Sequence, residues 1–524
     1  MSVALGTTTE PSNASWSRLT PEQLTEHLPD LVSARGGAAW FAAGVAMAPT
    51  MRLRHALTVL SEAARDRPAL HAALEAAGEG GSWDLARAAL ELAPRATHPQ
   101  PLVALLLRLV CTADPDTVAA VAETLPSRSV VLDPVAAAAL ERRVVALRKL
   151  ARSAREEQAP VLARALTDLS ARLAAVGQLD AAVTADHEAT RIRRKLVEQD
   201  PDTHLADLAA SLNNLAGSLT AAGQRHDALS PAEEATQLYR QLSEHSPGTH
   251  RGGLAAAVHT LATCLSRLGR RAEAVVAAEE ATQLYLRLAE KNPHTYLPEL
   301  ATSLTTLARQ LTGPGRSSEA LAHLQHAVRI RRRLTRQAPD AHLPDLAASV
   351  TALAHQLTGL DRHAEALAHT KDAVRFYRRL TEQGSSVYLG NLAAALSKLG
   401  IALIRAGRRS AALGFTEEAT ALYRRLAESN AQVYLPALAS SLHNHAITLA
   451  GAGQGQDALE RIEEAVRIRR QLARQDPDTY RPALASSLEN LAGRYRGLGH
   501  PKDAASAAAE ATKIRRRLHP SPPV

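Results

Sequence analysis

The octapeptide AEEATQLY occupies residues 232–239 and returns unchanged at 278–285, 46 residues later. Stepping by 46 from its central alanine, Ala235, lands on Ala189, Ala281, Ala327, Ala373, Ala419, Ala465 and Ala511. No insertion or deletion separates the eight copies. Three positions on, each copy carries a large apolar residue: Ile192, Leu238, Leu284, Ile330, Phe376, Leu422, Ile468, Ile514. Seven positions on, each has leucine, from Leu196 to Leu518. A glycine stands 12 before the alanine in seven copies (Gly177, Gly223, Gly269, Gly315, Gly407, Gly453, Gly499), with Asp361 in its place in the eighth. A fixed period of this length marks stacked supersecondary units rather than one globular core. It governs residues 159–518.

The apolar spacing inside a unit is helical. In the second copy Leu205, Leu208, Leu212, Leu215, Ala216 and Leu219 recur at three and four, one face of an α-helix. Gly223 then acts as a stop, because glycine takes the left-handed conformation without a Cβ penalty. A second amphipathic run begins near Asp227 and passes through Ala228, Ala232, Ala235, Leu238 and Leu242. Pro201, Pro247, Pro293, Pro339 and Pro477 break the chain in register. A further set, Pro298, Pro344, Pro436 and Pro482, predicts where the next helix begins, since proline suits the first helical position. Each unit therefore reads as a helical hairpin of about 16 and about 18 residues, roughly 24–27 Å each at 1.5 Å per residue. No strand pattern is present, and the fold class is all-α.

This pattern resembles the tetratricopeptide repeat (TPR) family, whose small-and-large signature falls on Leu212, Leu215-Ala216, Leu219, Gly223, Ala228, Ala232 and Ala235. The family's aromatic positions are Leu or Ala here, and its usual unit is about 34 residues. The extra length is similar to the long repeats of kinesin light chain type and to bacterial arrays forming the sensing arm of signalling ATPases. The resemblance implies a right-handed superhelical solenoid of about eight hairpins whose first helices line an inner groove. It also implies a protein or peptide partner.

Residues 1–133 lack the register and hold all three tryptophans, Trp16, Trp40 and Trp83. Thr20-Pro21-Glu22-Gln23 reads as a capped helix start, and helical runs follow at about 53–77, 83–93 and 101–111. The expectation is an N-terminal helical domain that caps the solenoid or docks a partner. Residues 134–158 form a degenerate half-repeat, 159–519 the eight repeats, and 520–524 a disordered tail.

Two cysteines, Cys111 and Cys264, offer no disulfide framework. No secretory signal precedes the repeats, and no apolar run reaches the 18 or more residues of a spanning helix. A cytoplasmic protein is expected. Chemistry-bearing motifs dissolve on inspection. Gly451-Ala452-Gly453-Gln454-Gly455 follows a helix at the repeat's turn, whereas a dinucleotide fingerprint follows a strand. His443-Asn444-His445 and His323-Leu324-Gln325-His326 lack the carboxylates or cysteines of a closed metal site, and His445 takes the inward slot of Leu215. The expectation is a non-enzymatic chain with no cofactor and no metal.

Two surfaces compete for a partner. The net charge is +8, and five residues after the repeat alanine lie Arg194, Arg240, Arg332, Arg378, Arg424, Arg470 and Arg516. Stacking turns them into a basic ridge, the footprint of phosphate binding. Acids stand immediately before the alanine in seven copies, and where Arg191, Arg375, Arg467 and Lys513 follow three further on, the pairs read instead as helix-surface support. Aromatics for base stacking make up only 3% of the chain. The groove expected from the resemblance presents Asn213, His259, Thr305, Thr351, Ser397 and His443, the following positions Asn214, Lys398, Asn444 and Asn490, and, a turn away, Arg309 and His355. Such short polar side chains can hydrogen-bond a peptide backbone, asparagine both donating and accepting. The reading is a scaffold binding a protein or peptide in the groove, with an acidic partner among the candidates. Nucleic acid on the ridge, or a regulatory subunit of a signalling complex, are the alternatives.

Overall fold

The computed structural model describes residues 50–64, 67–79, 82–126, 129–153, 158–312, 315–383 and 386–518. Thr20-Pro21-Glu22-Gln23, Trp16, Trp40 and the expected tail at 520–524 lie outside them. Among the described residues there are 22 α-helices and no strand. The first six are α1 (Thr50–Ala63), α2 (Pro68–Ala77), α3 (Trp83–Leu92), α4 (Gln100–Thr112), α5 (Pro115–Thr124) and α6 (Asp133–Ser153). The eight in-register hairpins follow, as first and second helices: α7 (Ala159–Ala175) and α8 (Leu179–Gln199), α9 (Pro201–Ala221) and α10 (Leu229–His245), α11 (Pro247–Arg267) and α12 (Arg271–Lys291), α13 (Pro293–Gln310) and α14 (Ser317–Gln337). The remainder are α15 (Pro339–Gly359) and α16 (His363–Glu382), α17 (Leu389–Arg405) and α18 (Arg409–Ser429), α19 (Ala431–Gly451) and α20 (Gly455–Gln475), α21 (Pro477–Gly497) and α22 (Pro501–Leu518). With α1–α6 included, the described residues hold about eleven helical hairpins rather than the eight that the period marks.

The turn inside each hairpin follows from one residue. All seven register glycines sit at φ between 73° and 95°, where a Cβ would clash with the following carbonyl. Asp361 takes the same left-handed turn at φ 57°, and aspartate is among the side chains that tolerate it. The repeat alanines are sealed, at most 1% exposed in every copy. Their small side chains let the backbones of neighbouring helices approach.

The helices begin earlier than the second proline set suggests. Pro201, Pro247, Pro293 and Pro477 occupy the first turn, and Pro298, Pro344, Pro436 and Pro482 lie inside the helix. Most first helices therefore run 21 residues, about 32 Å. A proline this close to the start forfeits a single hydrogen bond to the first turn, which the helix absorbs. Side-chain caps from Asp200, Asn430 and Asp476 fix the entries of α9, α19 and α21. Pro231 has the opposite effect. It has no N–H to give to the carbonyl four residues earlier, and its ring crowds that carbonyl; α10 starts only at Leu229 and is 17 residues long.

Two compact units divide the chain: Met1–Leu346 with Glu382–Ser385, and Ala347–Thr381 with Ser386–Val524. In the first, Leu53, Leu57, Leu60, Leu70, Leu74 and Leu85 close a core among α1–α5. That unit also brings Ser129, just before α6, onto the Asp340 carboxylate at the start of α15. Gly252 and Gly253 lie inside the uninterrupted α11. A Cβ on Gly253 would lie 2.5 Å from Cζ of Tyr239, and one on Gly252 would lie 2.7 Å from the Tyr296 hydroxyl. They are seats for tyrosines. In the second unit, Leu442, Ile462, Ala465, Val466 and Leu488 form the core between α19 and α22.

Candidate functional site

The polar row on the first helices lies where the helical period places it, beside buried leucines. In the first unit Asn213, Asn214, His259 and Thr305 are half-buried, and Arg309 reaches solvent. Oδ1 of Asn213 and Nδ1 of His259 are buried without a hydrogen-bond partner. The structure brings His259 close to Arg309: the imidazole is pushed down to about 4, first by burial and then by that guanidinium. Arg309 is itself depressed by lost hydration and by Arg267, and no ion pair involves it among the described residues. Thr305 turns its hydroxyl back to the Ala301 carbonyl at 2.8 Å.

In the second unit Thr351 does the same with the Ala347 carbonyl, at 2.8 Å. His355 and Lys398 are exposed, and Ser397, Asn444 and Asn490 half-buried. Ser397 Oγ and Asn490 Oδ1 are buried without a partner. The Lys398 ammonium is held below its usual range by lost hydration. His443 is committed elsewhere: its Nδ1 lies 3.0 Å from Ser487 Oγ, and burial, then Arg469, brings it down to about 4. His445 is buried, in the inward slot expected of it. Gly453 is simply the hairpin turn between α19 and α20, at φ 83°.

The arginines of the ridge have partners that the sequence reading did not find. Arg194 pairs with Glu234 at 2.6 Å, Arg240 with Glu280 at 3.0 Å, Arg378 with Glu418 at 2.7 Å, Arg424 with Glu464 at 2.9 Å, and Arg470 with Glu510. Arg148 on α6 begins the series, 2.5 Å from Glu188. Each rung joins an arginine to an acid at a constant offset of 40 in the chain, on the next second helix. Arg332 and Arg516 are exposed, and Arg516 carries no ion pair among the described residues. A signal for the ladder was present in the sequence. Where the arginine gives way to Leu286, the acid at the matching offset gives way to His326.

A second register position was missed, four residues after the repeat alanine. It holds Arg193, Tyr239, Tyr285, Arg331, Tyr377, Tyr423, Arg469 and Arg515. The four tyrosines and the first three arginines are buried. Arg193 donates to Ser211 Oγ and, at 3.2 Å, to Thr167 Oγ1, bridging two successive first helices. Beside it, buried Asp186 receives the hydroxyls of Ser170 (2.6 Å) and Ser218 (2.5 Å). Among the described residues, no group of three or more His, Cys, Asp or Glu could hold a metal ion.

Residues 162–202, 208–247, 438–478 and 484–522 match the tetratricopeptide repeat profile. These four stretches carry tetratricopeptide repeats. They correspond to the first two and last two in-register hairpins, and the 46-residue period continues unbroken between them. Solved structures that it resembles include BtubC (BKLC) from P. vanneervenii, at 20% identity and TM-score 0.38 over 48% of this chain and 92% of that one. A putative kinesin light chain repeat protein from Podosopora anserina aligns at 21% identity and TM-score 0.32, over 43% of this chain and 99% of that one. A Rap protein complexed with Competence and Sporulation Factor aligns at 14% identity and TM-score 0.39, over 68% and 99%. No curated protein matches the chain. Among the described residues no helix is long and apolar enough to cross a membrane.

Proposed function

We propose that the chain is a non-enzymatic scaffold that holds a peptide or protein segment along the polar row of its first helices. One observation carries this reading. The row leaves buried polar atoms of Asn213, His259, Ser397 and Asn490 without partners, although unmade hydrogen bonds of this kind cost about 1–3 kcal/mol each. Backbone amides of an extended partner offer the donors and acceptors that these side chains lack. Arg309 in the first unit and Lys398 in the second, each partly desolvated, favour an acidic partner.

The ridge supports nucleic-acid binding poorly. Five of its seven arginines already face carboxylates of the neighbouring repeat, so their charge is compensated before any phosphate arrives. The regulatory-subunit alternative is the same scaffold with its partner specified, and a captured catalytic chain would establish it.

The test is capture of partners from native lysate by the full chain, at low and high salt, with and without nuclease. A discrete protein that survives both treatments is expected. It should be lost from a variant carrying N213A, N214A, N444A and N490A, and kept by one carrying R378E and R424E. Capture of nucleic acid that elutes steeply with salt, retained by the asparagine variant, would overturn the reading.

A further inference from the structure

Arg469 is a buried cation whose counter-ion is missing. Its side chain is 7% exposed, and its guanidinium donates to the Ala483 carbonyl at 2.8 Å, to Ser487 Oγ, and to Ser440 Oγ at 3.3 Å. All three acceptors are neutral. Among the described residues it forms no ion pair. A charge taken out of water is costly unless it is paired, so this arrangement asks for an anion.

The repeats themselves show where that anion belongs. Fourteen residues after Arg193 stands Asp207, foremost among the carboxylates acting on it. Fourteen after Arg331 stands Asp345, whose carbonyl accepts from the Arg331 guanidinium. Arg515, at the end of the series, pairs with Glu489 at 2.6 Å. Fourteen after Arg469 the residue is Ala483. The joint between the seventh and eighth repeats thus keeps the arginine and removes the acid. The vacated place is open to a visitor: Asp207, on α9 of the second repeat, is exposed, and Ser440, beside Arg469, is exposed in the seventh.

We propose that Arg469 is a carboxylate-binding site, completed by an acidic group of the bound partner that takes the place of the Asp207 side chain. The arrangement suits a carboxylate because an aspartate stands at that register position after both Arg193 and Arg331, and that of Asp207 acts on Arg193. The inference rests on the scaffold reading above and adds the chemistry of one contact. The carboxylate comes from an aspartate or glutamate side chain or from a chain terminus.

Saturation-transfer NMR on the full chain distinguishes these, using N-acetylglutamic acid α-amide, N-acetylalanine and neutral N-acetylglutamine amide as probes. The wild type is expected to transfer to one or both carboxylates and not to the neutral probe. A483D supplies an internal counter-ion, and R469Y installs the residue that four other repeats use, so both should fold. Each should lower the transfer at least fivefold, with helical content by circular dichroism unchanged. Absence of transfer in the wild type, or equal transfer in A483D, overturns the site. The scaffold reading fails separately: wild type that binds carboxylates through Arg469 but captures no partner leaves the site standing. A partner captured equally by wild type and A483D leaves the scaffold standing and removes the site.

Discussion

Two glycine-to-alanine substitutions in neighbouring first helices are expected to have opposite signs. Gly217 lies within α9, and a Cβ there meets nothing within 4 Å. Relief of backbone entropy alone should stabilise G217A by about 0.5–1 kcal/mol. Gly253 lies within α11, where the same Cβ would fall 2.5 Å from Cζ and 2.8 Å from Cδ1 of Tyr239. That ring is 9% exposed and cannot swing into solvent without opening the seam between α10 and α11. Overpacking of this kind costs about 1–3 kcal/mol; set against the propensity gain, G253A should lose roughly 1–2 kcal/mol. Repeat arrays need not unfold in one step. The loss is therefore best read from urea denaturation together with native-state hydrogen exchange on peptides covering α10 and α11. In a Y239A background the penalty of G253A should vanish, a coupling measurable by a double-mutant cycle. If G253A proves as stable as G217A, the tyrosine is not seated on that glycine and the close approach of the two hairpins is wrong.

Other outcomes follow from the same geometry. Ala235 is fully buried, so A235L should cost about 1–3 kcal/mol by overpacking, seen as a lower melting temperature. The Arg424–Glu464 rung, with side chains 45% and 20% exposed, should show a coupling of about 0.2–1 kcal/mol in a double-mutant cycle. It should weaken with added salt, and the exchange R424E/E464R should restore much of what either change loses. His259 and His443 are lowered from 6.5 to about 4 in the fold. Their contribution to stability is therefore complete above pH 6.5 and is lost as the pH falls towards 4. Replacing both with glutamine should flatten the melting temperature across that interval. Asp186, raised above 3.8 first by burial, acts the other way. Its contribution is present below pH 3.8 and fades as the pH rises through its folded value, so D186N should remove that slope.

The architecture is legible in the sequence because it is written eight times. Ala235 and its equivalents mark the packing seam, and the register glycine ahead of each marks the turn, down to Asp361 adopting the same left-handed backbone. Helix starts were harder to read. Proline fits a first turn equally well by sequence at 293 or at 298, and the choice depends on which carbonyls the preceding helix leaves free. The role of Gly252 and Gly253 is not legible in the sequence because their partners, Tyr296 and Tyr239, stand on other helices, in the repeats after and before. The candidate site divides in the same way. The helical period places Asn213, His259 and Ser397 on one row, but not that Thr305 and Thr351 turn their hydroxyls back onto their own helices. The arginine ridge suggested a surface for phosphate because charge was counted along one helix. Its acids belong to the following repeat, at an offset that has meaning only once the second helices stand side by side.

That constant offset makes the joints between repeats interchangeable. Remove residues 379–424, one whole unit, and Arg378 would meet Glu464 in the place of Glu418; every charged joint would still close. Such a chain can gain or lose units in steps of 46 without redesigning an interface. The joint between Leu286 and His326 is the departure. A unit moved across it would set an arginine against a histidine, or strand a glutamate beside a leucine. The third and fourth repeats are thereby tied to each other as neighbours, while the other repeats stay exchangeable around that fixed pair.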